Sequence, residues 1–131
     1  MKTSSWRLYT GPGRVSISRF APSVAPPGYA VCRRLMPGPW FNKAGVEEFN
    51  RLYAAQLAAI DPEATLQALL ERAAPDEPVL MCWELPGKLC HRQTVAAWFG
   101  STLGLQVREL DIDPATAVKV GRAMVPCFRR Q

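Results

Sequence analysis

Apolar positions along the chain change their spacing several times, and each change marks an element. "WRLYTG" (residues 6–11) reads as a short first strand closed by a Gly-Pro-Gly turn, and "RVSISRF" (14–20) alternates like a second. Val46, Phe49, Tyr53 and Ile60, with Leu52 and Leu57 beside them, recur at helical spacing. Asp61-Pro62 then supplies an N-cap and a first helical residue, so a second helix begins there rather than the first continuing. Its face carries Leu66, Leu69, Leu70 and Ala73 before "APDEP" stops it. "VLMCWE" (79–84) is apolar on both faces until Glu84, as in a strand buried under helices on each side. After a Pro86-Gly87 turn, a helix starting near Cys90 would bury Val95, Trp98 and Phe99 and end at Gly104. "LQVREL" (105–110) follows as a strand, and Asp113-Pro114 caps a short helix running to about Met124.

One stretch fits neither period. From Ala21 to Trp40, Pro22, Pro26, Pro27, Pro37 and Pro39 forbid a regular helix or a central strand. A long irregular segment in a small domain often carries function. The strand-helix-strand order of the last third implies a right-handed crossover and parallel strands. The expected fold is therefore α/β: one small three-layer sandwich with a mainly parallel sheet, spanning residues 1–131. In such sheets the functional crevice lies beyond the carboxyl ends of the strands, where Glu84 to Arg92 would sit.

Composition narrows the classes. Of 131 residues, 48% are hydrophobic, enough for one core. No apolar run approaches the roughly 20 residues that span a bilayer, and no apolar stretch follows Lys2 to make a secretory signal. No membrane partner is expected, and a cytoplasmic protein is the simplest reading. The four cysteines are then expected as reduced thiols rather than a disulfide framework. The net charge of +5 is uneven: residues 1–44 contain no acid, residues 47–84 are acidic, and the chain closes with "FRRQ". Basic ends that met in space would make a face for phosphate or nucleic acid; a merely solvated surface is the alternative.

Chemistry concentrates between Cys82 and Arg92, around the chain's single histidine. Strand alternation puts Cys82 and Glu84 on one side. The helix start that follows can receive an anion, and Lys88 and Arg92 strengthen that field. Cys90 at a helix start is a candidate nucleophile, with Glu84 or His91 as its proton acceptor. Each has a structural alternative: Cys82 as core, Glu84 as an ion-pair partner of Arg92, His91 as a carbonyl anchor, Cys90 as a packing residue. No cofactor is expected. Zinc in particular is disfavoured, because Cys82 and Cys90 lack the roughly two-to-four-residue knuckle spacing. Cys90 and His91, if consecutive on a helix, would also point about 100° apart.

"VLMCWE", "LCHR" and "VAAWF" together resemble an uncharacterised family of bacteria and phages called domain of unknown function 488. Its signature is a hydrophobic strand ending Cys-x-Glu, a Pro-containing turn, Cys-His-Arg and a helix. "LYTG", "VSIS", the Pro-rich loop and "FNRLYAAQLAAIDP" fall in the family's order, so the resemblance covers about residues 6–103, with 111–131 as an extension. It implies an α/β fold and marks Cys82, Glu84, Cys90, His91 and Arg92 as signature positions; it implies no activity. A looser similarity to rhodanese and Cys-based phosphatase loops places Cys82 as the nucleophile, with Lys88 where those loops have Arg.

Two functions follow as expectations. In the first, the protein is an enzyme, a hydrolase or transferase, acting on a phosphate-bearing nucleotide or nucleic-acid component. Glu84, Cys90, His91 and Arg92 are its catalytic group, and Arg92, Lys88, Tyr9, Ser18 and Arg19 bind substrate. In the second, it is a non-catalytic module that grips nucleic acid or an acidic protein. Arg33 and Arg34 would contact the backbone and Trp40 would stack on bases.

Overall fold

The computed structural model describes residues 1–86 and 90–118. It contains strands β1 (Lys2–Ser5), β2 (Arg14–Ser16) and β3 (Ala30–Val31), helices α1 (Val46–Ala58) and α2 (Pro62–Ala73), strand β4 (Val79–Cys82), helix α3 (His91–Leu103) and strand β5 (Arg108–Glu109). The strands form one sheet in the order β3-β2-β4-β1-β5, with every pairing parallel. The α/β class and the parallel sheet are as the sequence implied. β4 lies in the middle, with Ser4 of β1 and Ser16 of β2 both in register with Met81.

All three helices cover the same face. Phe49, Tyr53 and Leu57 of α1, Leu69 and Ala73 of α2, and Val95 and Phe99 of α3 close over Val15, Ile17, Leu80 and Cys82. The opposite face carries Trp6, Val79, Met81 and Trp83, against which Tyr9, Ala21, Ala25, Tyr29 and Leu110 pack. Among the described residues, the third layer is thus irregular chain rather than helix, and most of it comes from the Pro-rich segment.

Local signals acted where they were read. Asp61 accepts the N–H of Glu63 (3.0 Å), and Pro62 opens α2. α3 ends at Gly104, whose φ of 67° is left-handed. Gly13 has φ 83°, and a Cβ there would lie 2.1 Å from the Glu77 carbonyl oxygen, so only glycine lets the chain enter β2 beside β4.

Some expectations need correction. The first strand is Lys2–Ser5, not the stretch from Trp6, which forms the turn between β1 and β2. Leu70 is exposed on α2, and Thr65 is buried in its place. Asp113 does cap a turn, by accepting the N–H of Ala115, but only a 3-10 turn at Pro114–Thr116 is formed. The remainder of that expected helix lies outside the described residues. None of the helices among the described residues is long and apolar enough to cross a membrane.

Candidate functional site

Because all strands run the same way, their carboxyl ends share one edge. Ile17 N–H bonds to Met81 O (3.2 Å) and Trp6 N–H to Cys82 O (3.0 Å), so the three central strands extend together into that edge. Cys82 ends β4 there, fully buried. The chain returns at Cys90, which is the N-cap of α3 and has an extended backbone (φ −148°, ψ 149°). His91 is the first helical residue.

That change of backbone state at Cys90 makes the site. Cys90 lies outside the helix, so its side chain and that of His91 converge rather than diverge. The sulfurs of Cys82 and Cys90 are brought into direct contact, so the two cysteines that lie eight residues apart form one pair. His91 Nδ1 lies 3.4 Å from Cys82 Sγ and 3.9 Å from Cys90 Sγ. Its other nitrogen, Nε2, is 2.7 Å from the Ile17 carbonyl oxygen. A carbonyl only accepts, so Nε2 carries the hydrogen, and in the neutral ring Nδ1 presents its lone pair to the sulfurs.

The ring is wedged against the α1 aromatics, with its centroid 5.4 Å from that of Tyr53 in a perpendicular arrangement and 6.3 Å from that of Phe49. Burial lowers its pKa to about 4; the bond to Ile17 opposes that shift and the charge of Arg92 adds to it. One sulfur from each cysteine and one nitrogen from His91 lie within 4.8 Å of one another, a set that could hold a metal ion. The sequence argument that Cys90 and His91 diverge on a helix therefore does not apply.

Arg92 behaves differently from expectation. It is fully buried, and its Nε and Nη2 donate to the two carboxylate oxygens of Glu109, each at 2.9 Å. Glu109 also accepts from Thr3 Oγ1. The guanidinium thus ties α3 to β5 and β1 instead of facing an external anion, and its acidic partner is Glu109 rather than Glu84. Among the described residues, Nη1 has no hydrogen-bond partner. Glu84 is buried just past the end of β4. Lys88 lies outside the described residues.

Of the remaining expected residues, Ser18 and Arg19 do approach the site. With Phe20, Pro37, Phe41 and Trp83 they line a space beside His91 of about 10 Å³, room for about one water. Ser18 Oγ donates to Phe20 O (2.9 Å), and Arg19 is exposed, with its guanidinium 5.7 Å from the centre of the Phe41 ring. Tyr9 is elsewhere, with its hydroxyl on Pro12 O (2.6 Å). Arg33 and Arg34 are exposed, and Trp40 is half-buried with its ring edge-on to Phe49 at 5.1 Å. Arg7 and Val118 exchange backbone and side-chain bonds, which brings residue 118 to the basic first segment; the basic tail itself lies outside the described residues.

A larger cavity of about 420 Å³ lies away from the sulfurs, lined by Thr10 to Arg14, Pro27, Gly28, Arg72 to Ala74 and Asp76. Arg14 there is buried and donates to the carbonyls of Gly11, Pro26 and Pro27, a role the sequence reading missed. Cys32 is a separate, buried free cysteine whose thiol pKa is pushed up by burial, against the opposing bond from Leu35.

Fold and site together define a small all-parallel α/β protein with a buried Cys-Cys-His centre at the carboxyl edge of its sheet. The chain belongs to the family described as Domain of unknown function DUF488, whose model matches residues 22–99. No curated protein and no solved structure matches it.

Proposed function

We propose that the protein is a thiol-based redox enzyme in which Cys82 and Cys90 form a dithiol–disulfide couple and His91 handles the proton. The observation that carries this reading is the position of His91 Nδ1 beside both sulfurs, fixed by the Nε2 bond to Ile17. The space of about 10 Å³ beside His91 is far too small for a nucleotide; a hydroperoxide is the substrate class we assign because a dithiol reduces it without a cofactor. The phosphate-bearing substrate expected from the sequence is not carried forward, because the guanidinium that was to hold it is bound to Glu109.

In the reduced protein the Cys82 thiol donates a hydrogen bond to Nδ1, and its proton passes to that nitrogen only as the sulfur attacks. The sulfur attacks one peroxide oxygen, the O–O bond breaks, and the departing oxygen takes the proton from the imidazolium, leaving a sulfenic acid. Cys90 sulfur then attacks the sulfenic sulfur, water leaves, and the disulfide closes. Two thiols and one hydroperoxide become one disulfide, one water and one alcohol (a second water from hydrogen peroxide). An external thiol returns the couple to the dithiol by exchange.

The test is stopped-flow oxidation of the reduced protein by hydrogen peroxide, with the products mapped by peptide mass spectrometry. A Cys82–Cys90 disulfide should form faster than thiols oxidise in the denatured chain. Cys90→Ser should stall at a trappable sulfenic acid on Cys82, and His91→Asn should slow the first step. Oxidation no faster than in the denatured chain would overturn the reading.

A further inference from the structure

We propose that the reduced form of Cys82 and Cys90, together with His91 Nδ1, binds one thiophilic d10 metal ion, Zn(II) or Cu(I). The three donor atoms already lie within 4.8 Å of one another and belong to buried residues. Two thiolates and one imidazole are the soft donor set that selects such ions.

Two further features point the same way. A metal-bound histidine usually donates its second ring N–H to a carbonyl or carboxylate, which fixes the ring and aims the ligating nitrogen. His91 makes that bond to Ile17 O at 2.7 Å, just past the end of β2, the strand that pairs with β4. The Cα atoms of Cys82 and Cys90 are 7.2 Å apart, wider than most disulfides span and ample for two sulfurs sharing an ion. The ligands come from a strand end and a helix cap, which is how they converge without the close spacing of a zinc knuckle.

An ion would also resolve a cost of the reduced state. Two thiolates in this apolar surround, packed against Phe49, Tyr53 and Val95, need positive charge close by. Arg92, which follows His91 in the chain, is already paired with Glu109. The inference does not rest on the peroxide reading: the ion needs two thiolates, whereas the disulfide excludes it.

The experiment uses the full chain, reduced, metal-free and anaerobic. Zn(II) and Cu(I) are added in separate arms, and alkylation of each cysteine is followed by peptide mass spectrometry. The expected result is one ion per chain, with Cys82 and Cys90 protected by the ion and labelling of Cys32 unchanged by it. Co(II), used as a spectroscopic stand-in for zinc, should give thiolate charge-transfer absorption that zinc abolishes. Cys82→Ser and Cys90→Ser should lose that absorption, and His91→Asn should weaken binding by at least about tenfold.

If neither ion protects Cys82 and Cys90 in the folded wild type, the inference is wrong, and no variant is needed to say so. Binding that survives unchanged in Cys82→Ser with Cys90→Ser would equally overturn it. Disulfide formation by peroxide with no metal binding would sink the metal site alone. Metal binding with no peroxide reactivity would sink the redox reading alone.

Discussion

The two faces of the sheet are built by different means. On the helical face, Phe49, Tyr53, Leu57, Leu69, Val95 and Phe99 form a cover whose backbone bonds are satisfied within the helices, so apolar stripes suffice. On the other face the cover is largely a proline-rich segment, which offers carbonyls but few N–H donors. Side chains fill that gap. Trp83 Nε1 donates to Phe20 O (2.9 Å), Trp6 Nε1 to Ser18 Oγ (3.2 Å), and Arg14 to three loop carbonyls. Tyr29 stands edge-on to Trp6 at 5.0 Å. The lesson is that a loop can roof a sheet when indoles and a guanidinium take over the work that helical hydrogen bonds do elsewhere.

The largest effect should come from the charged pair that ties α3 to β5 on the helical face. Arg92→Ala leaves Glu109 without its bidentate partner, and a loss of about 3–5 kcal/mol is expected in urea unfolding. Arg92→Met combined with Glu109→Gln should lose much less. Equal losses in the single and double variants would mean that the pair contributes through packing alone.

Acid should act on the same face. The folded pKa of His91 is lowered from 6.5 to about 4, so between those values the unfolded chain binds more protons than the folded one. Stability is therefore complete above pH 6.5 and falls as the pH drops towards 4. For metal-free protein the loss reaches roughly 3 kcal/mol, and His91→Asn should flatten it. A melting temperature that does not change over that window would contradict this.

The loop face should fail locally. Arg14→Met removes the donors to Gly11, Pro26 and Pro27 and should cost about 2–3 kcal/mol. Limited proteolysis should then cut within residues 19–29 before the helices; simultaneous cleavage of both would erase the contrast between the faces. The smallest change is Trp83→Phe, which trims a buried ring and leaves Phe20 O without its indole donor, for about 1–2 kcal/mol.

The helical face was largely legible in the sequence, because amphipathic spacing and the Asp61-Pro62 cap are local signals. β1 was not, because its "KTSS" is polar yet buried: Ser5 Oγ donates to Trp83 O and Thr3 Oγ1 to Glu109, contacts across 78 and 106 residues that no local pattern reports. The apolar residues just beyond it drew the strand assignment one turn too late. At the site, the residue types were visible but their convergence was not. It depends on Cys90 adopting extended backbone as an N-cap, where helical angles had been assumed. Arg92 was read as an anion receptor because Glu109, its partner, enters only after the full length of α3.

The sheet order has a consequence for how the chain is made. β1 and β2 follow each other closely in sequence but do not pair; β4 sits between them, and residues 17–78 intervene before it arrives. During synthesis the first two strands leave the ribosome without the partner that joins them. The centre of the sheet closes only when Val79–Cys82 threads the gap. Such long-range pairing slows folding and leaves strand edges open to other chains while it lasts. The residue that ends this central strand is Cys82, so the first sulfur of the centre is set in place by the same event that joins the two halves of the sheet.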